Sequence, residues 1–270
     1  SEFPAPVCVR YVSTRPAYEM NADSPPNQNL YPASSLQPHQ YHSSQNSNIN
    51  TERKDLLMKK IFSASNVTLA IIYMLFFISF SVILVLNFRP LYYHDIKSLG
   101  IEEASGIPEA EIRANYDTLI SYNSMFEHKE LDFPTLAMSE SGKIHFEEVK
   151  NIFVIVQYLC ILTLIAGSIG TFFKLRSKNA DYLKLAGILT PLLPAILGFF
   201  IALNWDNFFV TFHHIFFRND YWLFDPAEDP VITILPDAFF LHCAIAILLL
   251  VVCFSILSLL LHRLLARRWK

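Results

Sequence analysis

Four blocks of apolar residues, roughly 66–88, 152–173, 183–203 and 239–261, leave this chain of 270 residues few folds to choose from. Each block is close to the ~20 residues that a helix needs to cross a bilayer. Lipid offers no partner for a backbone N–H or C=O, and a helix satisfies its own. The expected fold is therefore an all-α polytopic membrane protein with four transmembrane helices. Pro191 and Pro194 fall inside the third block and should kink or locally open it, because each removes a helix hydrogen bond. Composition agrees: 53% of residues are hydrophobic and only 17% charged, which is not the balance of an ordinary soluble domain.

The basic residues then orient the spans. Arg53, Lys54, Lys59 and Lys60 precede the first, Lys174, Arg176, Lys178 and Lys184 lie between the second and third, and Arg263, Arg267, Arg268 and Lys270 end the chain. Lys and Arg close to span ends resist translocation, so these faces and both termini are expected to be cytoplasmic. Residues 89–151 and 204–238 must then both lie outside, in a multi-pass protein of the cell membrane.

Residues 1–57 are rich in Ser, Asn, Gln and Pro and show no periodicity, so a disordered tail is expected there. No apolar stretch follows a basic start, which excludes a secretory signal of the usual pattern. Met58 stands where a natural start would, which would make 1–57 an upstream extension and 58–270 the membrane domain. Of the four cysteines, Cys8 lies in the tail and Cys160, Cys243 and Cys253 in apolar blocks, with no CxxC pair. They suit packing and suggest neither a disulfide nor a zinc framework.

The first outer loop is longer than a connector needs to be and should carry structure. A helix is expected over 108–122, with Pro108 at its start, Glu109 and Glu111 in its first turn, and Ile112, Tyr116, Leu119 and Ile120 as an apolar stripe. Asn115 and Tyr122 fall beside that stripe, on a helix that either packs on the cap or bilayer or offers a polar edge to a substrate. Extended pieces are expected at 132–138 and 143–146, around the turn formers Ser139, Ser141 and Gly142. Together these give a small mixed α/β extracellular cap.

The second outer loop carries the densest signal, FFVTFHHIFFRNDYWLFDPAEDPVITILPDAFF over 208–240. Aromatics at a membrane edge usually anchor it, but imidazoles in such a belt cost free energy to desolvate. The topology puts His94, His128, His145, His213 and His214 outside. His145 and His213 each sit next to a phenylalanine and near a span, and two imidazoles at one interface could divide general base and general acid roles. On a helix His214 points about 100° away from His213. His94 is a weaker candidate, and His242 and His262 read as interfacial. Each histidine alone also reads as a structural residue. A metal set of His145, His213, His214 and Asp220 has no recognised ligand spacing, so no metal is assigned. Neither G-x-S-x-G, a Walker loop nor H-E-x-x-H is present, and the spans hold no acidic residue for an intramembrane aspartyl protease or a proton relay.

At these residues the sequence resembles the Lit family of bacterial membrane proteins, lipoprotein intramolecular transacylases. FHHIFFRNDYWLFDPAEDPVITILPDAFF, IHFEEVK before the second span and ANYDTLISYN upstream carry the resemblance, which covers about 58–270. His213 and His145 match the family histidines, and His214 falls at a variable site. The resemblance implies a diacylated lipoprotein as substrate, with the sn-2 acyl chain moved to the α-amine of its N-terminal cysteine to give the lyso form. It implies no cofactor and no nucleic acid, only the lipoprotein and the bilayer as partners, and an active site on the extracellular side. Asn115, Tyr122, Asn219 and Trp222 are then candidates to donate to an oxyanion or orient the substrate. Two other classes fit a chain of this layout: a lipid-binding regulatory protein without catalysis, and a small transporter, which the low span count and absent internal repeats oppose.

Overall fold

The computed structural model describes Thr51, Met58 and residues 61–269. The tail expected over 1–57 lies, Thr51 apart, outside the described residues, as do Arg53, Lys54, Lys59, Lys60 and Lys270. Helices α1 (Ala64–Asn87), α2 (Arg89–Ser98), α3 (Ile101–Ser105) and α4 (Glu109–Tyr122) open the described chain. After an irregular segment come α5 (Glu140–Arg176), α6 (Asp181–Leu189), α7 (Leu192–Leu203) and α8 (Trp205–Phe216). A second irregular segment leads to α9 (Val231–Ile234) and α10 (Asp237–Arg268).

Four helical stretches are long and apolar enough to cross a membrane: α1, α5, α6 with α7, and α10. They coincide with the four blocks of the sequence. Many large apolar side chains on them are exposed, such as Ile155, Leu162, Phe173, Leu249 and Leu264. Such surfaces are tolerable in lipid and not in water. Within the bundle α1 packs against α5, α6 and α10, and α6 also packs against α10.

Small residues and hydroxyls bring these helices close. Ser255 and Ser258 of α10 donate to the carbonyls of Gly187 (2.6 Å) and Leu183 (2.8 Å) on α6. A Cβ at Gly187 would stand 2.6 Å from Leu259 Cγ and 3.0 Å from the Ser255 carbonyl, so glycine permits the approach. At that end of the bundle Lys174 donates to Asn66 and Ser65, and the His262 ring meets the Ala180 carbonyl at 3.0 Å. The third span breaks where expected: α6 stops at Leu189 and α7 begins at Leu192, with Pro191 in between. Pro194 falls in the first turn of α7, where a missing N–H costs little.

The cap is helical, and this corrects the mixed α/β expectation: no strand occurs among the described residues. Residues 143–146 lie inside α5, because Ser139 is a helix cap and not a turn. Its hydroxyl accepts from the Gly142 N–H at 3.0 Å. Residues 132–138 are irregular; Leu131 and Phe133 go into the cap core instead of pairing with a strand. That core gathers Tyr92, Ile112, Tyr116, Leu119, Phe146, Val231, Ile234 and Phe239. Tyr92 stacks on Tyr116 with centroids 3.7 Å apart, meets Phe239 edge-on, and donates its hydroxyl to the Ile234 carbonyl at 2.6 Å. The expected helix over 108–122 is present as α4, with the stripe of Ile112, Tyr116, Leu119 and Ile120 buried.

Candidate active site

α5 has 37 residues, about 55 Å at the usual rise, against a hydrocarbon core of about 30 Å. Its apolar part begins near residue 152; the turns before it carry Lys143, Glu147, Glu148 and Lys150 and stand outside the span. His145 is in these outer turns. Their start is fixed from far along the chain. The Ser139 N–H and hydroxyl donate to the two carboxylate oxygens of buried Asp229, at 2.7 and 2.6 Å. Asp229 also lies against Gly142 so closely that a Cβ there would overlap its Oδ1. A carboxylate at this position also suits the positive end of the helix.

His213 comes from α8, a helix capped by Asn204, whose side chain accepts from the Asn207 N–H at 2.9 Å. Although 68 residues separate them, the rings of His145 and His213 lie 6.2 Å apart between centroids, with planes inclined by 30°. Aromatics enclose the pair. Phe217 and Phe224 meet His145 edge-on at 4.7 and 5.4 Å, and Trp222 stacks on His213 at 4.6 Å. Phe209 adds a further ring 4.3 Å from His213.

This enclosure sets the charge and tautomer of the rings. His145 is only 5% exposed. Burial, with a smaller contribution from His213, pushes its imidazole down to about 4. Burial also lowers His213, opposed in part by its bond to the Phe209 carbonyl. Both rings are therefore neutral near pH 7. The Phe209 carbonyl, 2.8 Å from His213 Nδ1, can only accept, so the proton sits on Nδ1 and leaves Nε2 with a free lone pair. His145 Nδ1 is buried with no partner among the described residues. A neutral imidazole with a fixed tautomer and an open Nε2 can take a proton, and a second imidazole beside it can pass one on.

His214 is exposed and meets the Trp222 ring edge-on, at 5.5 Å between centroids and 88°. Among the described residues no three His, Cys, Asp or Glu side chains converge to hold a metal ion. His242 lies elsewhere, with Nδ1 2.8 Å from Asp95 Oδ2, and His94 and His128 are exposed.

Of the other four candidates, Trp222 lies on the pair, and its indole N–H is buried without a partner among the described residues. Asn219 donates to Glu148 Oε1 at 2.9 Å, which ties the Trp222 segment to the outer turns of α5. The structure does not bring Asn115 to the pair. Its amide is fully buried, donates to Glu111 O and Thr135 Oγ1, and accepts from the Thr135 N–H. Tyr122 is in the cap core under Lys150, whose ammonium stands 4.0 Å over its ring. Phe209, Phe217, Phe224, Glu148 and Asp229 are not singled out by sequence. Phe209, Phe217, Phe224 and Asp229 fall within the aromatic run over 208–240, and IHFEEVK puts Glu148 one turn after His145.

Comparison with known proteins follows this geometry. The sequence profile of the family described as lipoprotein intramolecular transacylase Lit matches residues 67–240. Among solved structures, the membrane integral lipoprotein intramolecular transacylase Lit from Bacillus cereus is similar at 39% identity and a TM-score of 0.74, over 76% of this chain and 95% of that one. A variant of that protein with one histidine changed to arginine gives 38% identity and 0.70, over 80% and 97%. A variant with a histidine changed to alanine gives 37% and 0.70, over 81% and 98%. A search of curated proteins gives no match.

Proposed function

The chain belongs to the Lit family, so it is a membrane-integral lipoprotein intramolecular transacylase, and from that premise we propose how its residues perform the transfer. The substrate is a diacylated lipoprotein whose N-terminal cysteine carries a thioether-linked diacylglycerol and a free α-amine. The sn-2 acyl chain moves to that amine and leaves a lyso lipoprotein. The observation that carries this reading is the convergence of buried His145 and half-buried His213, with 6.2 Å between ring centroids.

An α-amine has a pKa near 8 and is mostly an ammonium at neutral pH. His213, through Nε2, takes one proton from the ammonium and releases it to water. The amine nitrogen then attacks the sn-2 ester carbonyl, forming the C–N bond. The surplus N–H proton of the tetrahedral adduct passes across the pair, and His145 delivers it to the glyceryl oxygen as the ester C–O bond breaks. The balance is one ammonium and one ester converted into one amide, one alcohol and one proton. Nucleophile and ester share one molecule, so holding them in the aromatic enclosure supplies much of the acceleration. The buried Trp222 N–H, which has no partner among the described residues, is suited to the oxyanion. Asn219 orients this segment through Glu148. The contacts of Asn115 and Tyr122 favour a role in holding the cap over one with substrate.

The reaction takes place on the extracellular side. Lys174 and Arg176 end α5, Arg267 and Arg268 end α10, and the contacts of Lys174 with α1 and of His262 with Ala180 gather these ends together. That basic end is cytoplasmic by the positive-inside rule, and the histidine pair is at the other. Residues 58–270 then form the catalytic domain and 1–57 a tail outside it. The test uses a lipopeptide labelled in its sn-2 acyl chain, incubated with the protein in bilayers and read by mass spectrometry. The label should appear on the α-amine of the same molecule. An unlabelled acyl group on the amine, which would come from the sn-1 chain, or label on the amine of a second, unlabelled lipopeptide would overturn the reading.

A further inference from the structure

We propose that Glu148 is the docking site for the substrate's α-ammonium, a role that rests on the transacylase reading above. Glu148 follows His145 by three residues on α5, so the two project from neighbouring positions on one helix face. One carboxylate oxygen, Oε1, accepts from the Asn219 amide at 2.9 Å. The other, Oε2, is buried and has no hydrogen-bond partner among the described residues. A buried carboxylate oxygen without a partner is costly, and such a group is expected where a cation arrives. The nearby lysines are engaged elsewhere: Lys143 with Glu130, and Lys150 with the Glu127 carbonyl and the Tyr122 ring. Asn219 lies three residues before Trp222, which stacks on His213. The half-satisfied carboxylate therefore belongs to the contact that joins the His145 helix to the segment covering His213.

The chemistry of the substrate supplies what Oε2 lacks. An α-ammonium has three N–H donors, so it can give one to Glu148 Oε2 and keep another for His213 Nε2. Glu148 holds the nitrogen while an imidazole removes one of its protons. Docking on charge also sorts substrates. A free N-terminal cysteine fits the site, and a lipoprotein already N-acylated, which is the product, has lost the charge and is released.

The test measures binding, so it does not depend on turnover. The probes are two lipopeptides with ether links in place of both glyceryl esters, one with a free α-amine and one N-acetylated. Each is titrated against the full chain in nanodiscs, as wild type and as Glu148→Gln. The glutamine has the same shape and keeps an acceptor for Asn219. Wild type should bind the free amine roughly tenfold or more tightly than the acetylated probe. Glu148→Gln should bind both alike, at the wild-type affinity for the acetylated one. If Glu148→Gln still prefers the amine, or wild type has no preference, the assignment is overturned. It is equally overturned if Glu148→Gln loses the acetylated probe too, since the residue then only holds the fold. Failure of the transacylase reading shows separately, as wild type that makes no lyso product from a diester lipopeptide.

Discussion

Burial of the two imidazoles sets how the enzyme should respond to pH. A ring whose proton affinity is lowered stays neutral, and able to accept, below the usual range near 6.5. His145 is held at about 4 and His213 is lowered as well, both mainly by burial. The substrate amine titrates higher, near 8, and is reactive only when deprotonated. Between about pH 6.5 and 7.5 kcat/KM should therefore rise tenfold per unit, with a single proton controlling it. The slope should steepen only at lower pH, where His213 begins to be protonated. A pH profile on diester lipopeptide in bilayers checks this, and a second break at or above 6.5 would mean that His213 is an ordinary solvated imidazole.

Among the elements, the N-terminal end of α5 depends most on distant residues. Its first turn is pinned by Asp229, 90 residues along the chain, through two hydrogen bonds to Ser139. Removing them with Asp229→Ala should cost at least about 1.5–3 kcal/mol, the range for a single bond to a charged group. Gly142→Ala should act in the same direction, because its Cβ would overlap Asp229 Oδ1. Thermal unfolding in detergent and lipopeptide turnover should fall together in both variants, since His145 lies on the turn that follows. The spans were legible in sequence because hydropathy is local. The start of α5 was not, because polar outer turns carry no apolar signal and their cap partner is far away. Ser139 and Gly142 suit a turn and a helix cap equally well. Asn115 shows the same limit: a polar residue beside an apolar stripe looks available to substrate until Thr135 is seen to take its amide. The histidine pair was legible in kind and the surrounding phenylalanines were not, since sequence gives no reason to choose Phe217 and Phe224 from among 23.

For the whole molecule, the arrangement has two chemically distinct ends, one basic and one carrying the imidazoles. A cysteine introduced near Ser139, at exposed Glu140, should react with a membrane-impermeant thiol reagent on intact cells, and one near Ser177 only after lysis. Ser139 is in the cap at the start of α5, and Ser177 follows its basic end. The opposite labelling would put the pair on the cytoplasmic side and remove the outer leaflet as the source of substrate. The most direct measurement of the central claim, that His145 and His213 perform the transfer together, compares three single variants in bilayers. A general acid or base is worth about 10²–10⁴ in rate, so His145→Ala and His213→Ala should each lose at least a hundredfold in lyso product formed per minute. His214→Ala, at an exposed ring on the edge of Trp222, should remain within about twofold of wild type. Folded His145→Ala and His213→Ala proteins that turn over diester lipopeptide at the wild-type rate would contradict the account.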